Sequence, residues 1–290
     1  MGKTKLTIFC RQQENKIKGL PFAANARIMD TKYVGKQGII MRIALVGCAV
    51  MNREVSTLVA QSPNIIRVWW LRQGLHNTPD LLRTEVQKTI DEIEKENESL
   101  EENLRFEVVV LGYGLCSNGV IGLRSRTLPL VVPRCDDCIS LFLGSAARYR
   151  KLFREMPGTF WYSPGWIEQS FMPSTENYAR RLAEYTEIYG EDNAEYLLEC
   201  DNAWMKNYKY CGYITCPFAR FPEHEAFSKQ AAQDFGWEYR EIEGEMGYFE
   251  ALVNGPWDDS RFLTCPPQSV IEQDFSDKKF RSIPAGAPDL

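Results

Sequence analysis

No stretch of the 290-residue chain approaches the roughly 18 consecutive apolar residues that a membrane-crossing helix needs. The opening residues lack the apolar centre and small-residue cleavage site of a secretory leader, so the expected compartment is the cytoplasm. Positive charge is in deficit: 34 lysines and arginines face 39 aspartates and glutamates, a net charge of −5. That argues against a nucleic-acid partner, whose grip depends on Lys and Arg contacts to phosphate. There is no short-period repeat and no low-complexity linker. Cysteine is present but thin, nine in the whole chain, too few for the disulfide framework of a small secreted domain. Cys135-x-x-Cys138 lacks the second Cys pair of a zinc ribbon. In a reducing compartment such cysteines read as buried hydrophobes, metal ligands or reactive thiols.

What is present is an ordinary globular composition, 44% hydrophobic and 25% charged. Residues 1–40 form a basic extension, with Lys3, Lys5, Arg11, Lys16, Lys18, Arg27, Lys32 and Lys36 against Glu14 and Asp30, and Met41 is a candidate natural start. Residues 41–275 alternate strand and helix patterns. Residues 276–290 read as a polar tail that frays. Strands alternating with helices predict an α/β fold, a mainly parallel sheet with helices on both faces in a Rossmann-like doubly wound arrangement. Two lobes meeting near 163–175 are the alternative layout.

The chemistry collects where strands end. Leu111 to Ser145 holds two apolar runs, Phe106–Leu111 and Leu128–Val132, each followed by a cysteine-bearing loop. A helix is expected from Asp136 to Glu155. Cys48 follows the first strand, His76 the second, Cys116 the third, and Asp136, Asp137 and Cys138 the fourth; Cys216 and Cys265 follow later ones. In an open parallel sheet these loops share one edge, where ligands sit. Thiolates with one imidazole suit Zn²⁺ first and Fe second. The expected ligands are Cys48, Cys116 and Cys138 with His76, and Asp136 or Asp137 is the alternate ligand or a supporting group. The expected pocket adds Gly112, Tyr113, Gly114, Ser117, Asn118, Arg134, Trp161, Tyr162 and Trp166. For each cysteine the competing reading is a small buried hydrophobe. The site requires that Phe106–Leu111 and Leu128–Val132 run parallel, although their connection is short for a crossover.

Two other readings carry less weight. Cys135-Asp136-Asp137-Cys138 has the spacing of a redox dithiol, but two adjacent carboxylates oppose thiolate formation. Gly112-x-Gly114-x-x-Ser117 is an imperfect dinucleotide fingerprint, lacking its third glycine and placed after the third strand.

Several stretches together resemble domain-of-unknown-function family 1638 (DUF-1638) over about 41–253. They are Ile43–Cys48, Leu75-His76-Asn77, Leu111–Cys116, Asp137-Cys138-Ile139 with Leu143-Gly144-Ser145, and Pro157-Gly158-Thr159 with Ser163-Pro164-Gly165-Trp166. Members often carry His where this chain has Asp136 or Asp137, which makes Asp137 a candidate oxygen ligand. The resemblance implies association with corrinoid proteins and methyltransferases, and hence a role in one-carbon metabolism. The expected function is a metal-binding enzyme or accessory protein of corrinoid-dependent methyl transfer, with the corrinoid supplied through a partner. The alternative is a non-catalytic partner of a corrinoid protein or methyltransferase, its cysteines structural.

Overall fold

The computed structural model describes residues 40–286. The basic extension, apart from its last residue, lies outside the described residues, as does Cys10. The central sheet has the order β2-β1-β3-β5-β9. Its strands are β1 (Arg42–Cys48), β2 (Ile65–Leu71), β3 (Val108–Gly112), β5 (Leu130–Pro133) and β9 (Phe262–Cys265). The first four are mutually parallel, and β9 closes the edge antiparallel to β5. The centre falls on the two strands that read as unbroken apolar runs: Ile43–Val46 and Val108–Leu111 are fully buried, as expected of parallel strands covered on both faces.

The parallel pairing of β3 and β5 is achieved without a crossover helix between them. The connection passes through a turn at 116–118 and the short β4 (Arg124–Ser125). It then closes on α2 (Pro79–Ser99), which packs Leu82, Val86, Ile90 and Ile93 inward at helical spacing. The carboxylate of Glu94, fully buried on that face, accepts hydrogen bonds from the Ser125 hydroxyl (2.8 Å), the Arg126 N–H (2.9 Å), and the Thr127 N–H (2.6 Å) and hydroxyl (2.7 Å). A buried acid on α2 thus anchors the returning chain alongside the backbone pairing of β4 with β10.

The remaining strands do not extend this sheet. β6 (Thr159–Tyr162), β7 (Tyr210–Thr215) and β8 (Glu238–Glu243) make a second, all-parallel sheet. β4, β10 (Ser269–Gln273) and β11 (Phe280–Pro284) make a small antiparallel third. The α/β class with mainly parallel pairing is therefore as expected, and the strands divide among three sheets. The helices are α1 (Asn52–Gln61), α2, α3 (Ile139–Phe142), α4 (Ala146–Glu155), α5 (Pro164–Gln169), α6 (Thr175–Tyr189), α7 (Glu191–Asn202), α8 (Pro222–Phe235) and α9 (Gly247–Asn254).

Two further expectations are corrected. The helix expected from Asp136 to Glu155 is broken: Gly144 takes φ +70, and Ser145 caps a new helix by accepting from the Arg148 N–H. The described part of the tail, residues 276–286, carries the strand Phe280–Pro284 where fraying was expected. Arg134, 6% exposed, donates to the carbonyls of Asp259, Phe262, Lys278 and Phe280 and to the Asp259 carboxylate. Its guanidinium ties β5 to the β10–β11 hairpin and buries Phe280, so Arg134 is a clamp for that hairpin and no part of a pocket.

Candidate functional site

Because β1, β3 and β5 are parallel neighbours, Cys48, the Gly112–Cys116 segment and the Cys135–Cys138 segment all leave the sheet at its carboxyl edge. The β3–β5 pairing continues beyond the strands: Leu115 N–H donates to Cys135 O and Cys116 N–H to Asp136 O, both at 2.8 Å. Gly114 permits this. A Cβ there would lie 2.7 Å from Cys135 O and 2.8 Å from its Sγ.

The chain then enters a left-handed turn with three consecutive non-glycine residues at positive φ: Cys116 (44°), Ser117 (58°) and Asn118 (68°). Each costs about 1–2 kcal/mol, and such strain persists where surrounding structure over-determines it. Here Arg83 of α2 supplies the restraint, donating to Asn118 O (3.3 Å) and Ile121 O. The turn fixes Cys116 rigidly beside the β5 loop.

Cys48 lies close enough to influence Cys116, and both lie close enough to influence Cys138. Burial, then the Asp137 charge and Cys48, push the Cys116 thiol up to about 12, against the N–H groups of Gly114 and Cys138 that point at its sulfur. Burial and then Cys116 and Cys48 raise Cys138 well above its usual range, and burial raises Cys48. Among them lies the Tyr113 hydroxyl, buried and without a hydrogen-bond partner among the described residues. Its pKa is raised by burial and then by these same three cysteines. Burial lifts Asp137 to about 6, with the Tyr149 hydroxyl and the Ile139 N–H (3.0 Å) opposing. Asp136 pairs with Lys279 of the C-terminal hairpin at 2.5 Å. Cys135 is fully buried and faces Gly114, as a packing cysteine does.

A cleft of about 510 Å³ opens onto the site. Cys116, Ser117, Asp136, Asp137 and Cys138 line its floor, and Trp161, Trp166 and His76 its walls. His76 is therefore near, with burial lowering its pKa, but it is not among the groups that perturb the three thiols. Tyr162 is fully buried with its hydroxyl on Pro173 O (2.9 Å), a core residue and not a pocket one. Asn118 is exposed on the far side of the turn, held by Arg83 through its carbonyl. Gly112 serves packing: a Cβ there would meet Met51 Sδ at 2.8 Å. Sequence reasoning missed Tyr149, Phe160, Met172 and Tyr208, all on this cleft or against Asp137. They come from ordinary helix, strand and loop patterns, so nothing in the sequence marks them.

The other strand-end cysteines stand apart. Cys265 lies on antiparallel β9, opposite Leu130, and so at the other end of β5. Cys216 ends β7 in the second sheet and sits against Glu54 of α1. Glu54 is 2% exposed, and its Oε2 has no partner among the described residues. Burial raises it to about 7 from an ordinary 4.5, against its own backbone N–H, Cys216 and Arg53, while Glu168 adds to the rise. A carboxyl whose folded pKa is raised favours the fold only while protonated. Stability is therefore expected to fall by about 3 kcal/mol as pH rises from 4.5 to 7. Denaturant unfolding at both values should show this fall in the wild type and its loss in Glu54→Gln.

The donor chemistry fits a thiophilic cation: three sulfurs lie near an orphaned phenol, and the Asp137 carboxylate lies near the Cys116 sulfur. The sulfurs do not form a ready-made shell, because among the described residues no group of three or more His, Cys, Asp or Glu stands at metal-holding spacing. No described helix is long and apolar enough to cross a membrane. No curated protein and no solved structure matches the chain. One family model does, described as a protein of unknown function and covering residues 70–253, which takes in His76, Cys116 and Cys138 but leaves Cys48 before its start. By that match the chain belongs to the DUF1638 family.

Proposed function

We propose that Cys48, Cys116 and Cys138 hold a thiophilic transition metal, zinc first and iron second, and that Asp137 rather than His76 stands beside its open fourth position. The protein then acts as an enzyme or accessory factor of corrinoid-dependent methyl transfer. The observation that carries the metal half is the buried, unpartnered Tyr113 hydroxyl beside three cysteines that leave adjacent parallel strands at one edge of the sheet. Buried neutral thiols with an orphaned phenol are a poor end state for a strained loop, and a cation supplies what that arrangement lacks. The corrinoid half rests on the family resemblance alone.

When bound, a thiolate-held zinc supplies a Lewis acid that lowers the pKa of a substrate thiol, the kind of nucleophile that accepts a methyl group. The chain's own residues set the surroundings. Trp161 and Trp166 wall the cleft and exclude water. Asp137, whose pKa burial raises to about 6 and which accepts from the Ile139 N–H, can hold or release a proton in the cleft. Lys279 fixes the neighbouring Asp136 by an ion pair.

Substitution with Co²⁺ tests the assignment. Intense thiolate-to-cobalt absorption is expected in the wild type, to weaken in Cys48→Ser and to be unchanged in Cys265→Ser. Affinity should fall steeply with acid, since each ligand thiol must lose its proton. A cobalt spectrum without thiolate bands would overturn the ligand set.

A further inference from the structure

We infer that the thiol chamber is one end of a longer cleft built for a ring-bodied small molecule, whose soft end meets Cys116 and Cys138. A second cavity of about 690 Å³ adjoins the first, and Gln73, His76, Phe160, Met172 and Tyr208 line both. Ligand sites of this size take drug-sized molecules, so the joined space exceeds what a simple thiol or amino acid needs.

The shared wall is aromatic. Phe160 stacks on Trp204 (5.4 Å, 27°) and on Trp237 (5.7 Å, 21°), and meets Tyr208 edge-on (5.2 Å). Trp204 is 38% exposed although it lies beside this apolar wall. A face of this kind receives a flat ring by stacking.

Charge narrows the class. The outer cavity has one guanidinium, Arg181, and one carboxylate, Asp201; the inner has Asp136 and Asp137. One cation against three acids is too few for the phosphates of a nucleotide. The ligand is therefore a neutral or singly acidic ring compound bearing sulfur or another soft atom at its inner end. This inference rests on reading the thiols as the reacting end.

Organomercurials test it on metal-free, full-length protein. Each reagent RHgCl converts Cys–SH to Cys–S–HgR, releasing chloride and a proton. Methylmercury carries the soft end without a ring, phenylmercury adds one ring, and a phenylazo-phenylmercury adds two. Peptide mass spectrometry gives rates at Cys116 and Cys138 relative to exposed Cys200 in the same chain. The expected result is a preference for the ring reagents over methylmercury of about ten-fold, the equivalent of one good aromatic contact. Trp204→Ala should reduce the two-ring advantage several-fold, and Tyr208→Leu that of both ring reagents, with methylmercury unaffected. Equal relative rates for all three reagents, a ring advantage that survives both substitutions, or no labelling of Cys116 and Cys138 by any reagent would overturn the inference. Failure of the metal assignment is separate, because it appears in cobalt and zinc binding, which need no ring.

Discussion

Gly165→Ala is expected to abolish stable folding or to cost more than about 4 kcal/mol, the range reached only by severe packing faults. The reason is a backbone contact. An added Cβ would lie 1.7 Å from the Val50 carbonyl oxygen and 2.8 Å from its carbon. Neither can swing away as a flexible side chain would, because both are backbone atoms of Val50, fully buried in the turn that follows β1. Gly165 itself lies in α5, whose start is set by Pro164 in the first turn and by the Ser163 hydroxyl accepting from the Trp166 N–H. Any relief would therefore move α5 as a body. It would carry Trp166 off Phe142, now at 4.8 Å between ring centroids, and open the wall of the thiol cleft. Thermal unfolding followed by circular dichroism measures the effect; a stability within about 1 kcal/mol of wild type would contradict the packing described.

Glu94→Ala is expected to cost about 3–5 kcal/mol, the range for removing one partner of a buried charged network. Four donors from Ser125, Arg126 and Thr127 lose their acceptor together. The same network gives an acid limit. Burial alone would raise the Glu94 pKa, but the hydrogen bonds from Thr127, then Ser125 and Arg126, overcome it and hold the carboxyl at about 2 against an ordinary 4.5. A depressed carboxyl stabilises the fold fully above its unfolded value. That contribution is lost as pH falls from about 4.5 towards 2. Guanidinium unfolding across this window should show a falling midpoint in the wild type and a flatter one in Glu94→Ala. Parallel curves for the two proteins would refute the cradle.

The outline of the fold was legible because apolar runs of strand length alternate with amphipathic helices. Pro79, Gly190 and Gly236 punctuate those helices where the sequence suggested. What the sequence concealed was sheet membership. β6, β7 and β8 look like any parallel strands, and nothing local says that they pair only with each other. The hairpin of β10 and β11 was hidden because its anchor, Arg134, lies far away in the chain, and a polar segment with Pro and Gly looks loose without that partner. That Cys48, Cys116 and Cys138 leave the sheet at one edge was readable from strand ends, since three adjacent parallel strands must deliver their loops there. Cys265 failed the same reasoning because the direction of β9 leaves no trace in its sequence. Glu94 shows the limit most clearly. It stands in an acidic run, DEIEKENESLEEN, that reads as a solvated face, yet its side chain is buried and anchors the Ser125–Thr127 segment that connects β3 to β5.

Elemental analysis of the purified protein after reconstitution with zinc tests the central claim most directly. Wild type and Cys200→Ser should each hold about one equivalent of zinc, and Cys116→Ser or Cys138→Ser should lose it, since a thiolate site fails when one of its ligands is removed. Less than about a tenth of an equivalent in wild type, unchanged by reconstitution, would contradict the metal site and return these cysteines to a structural role.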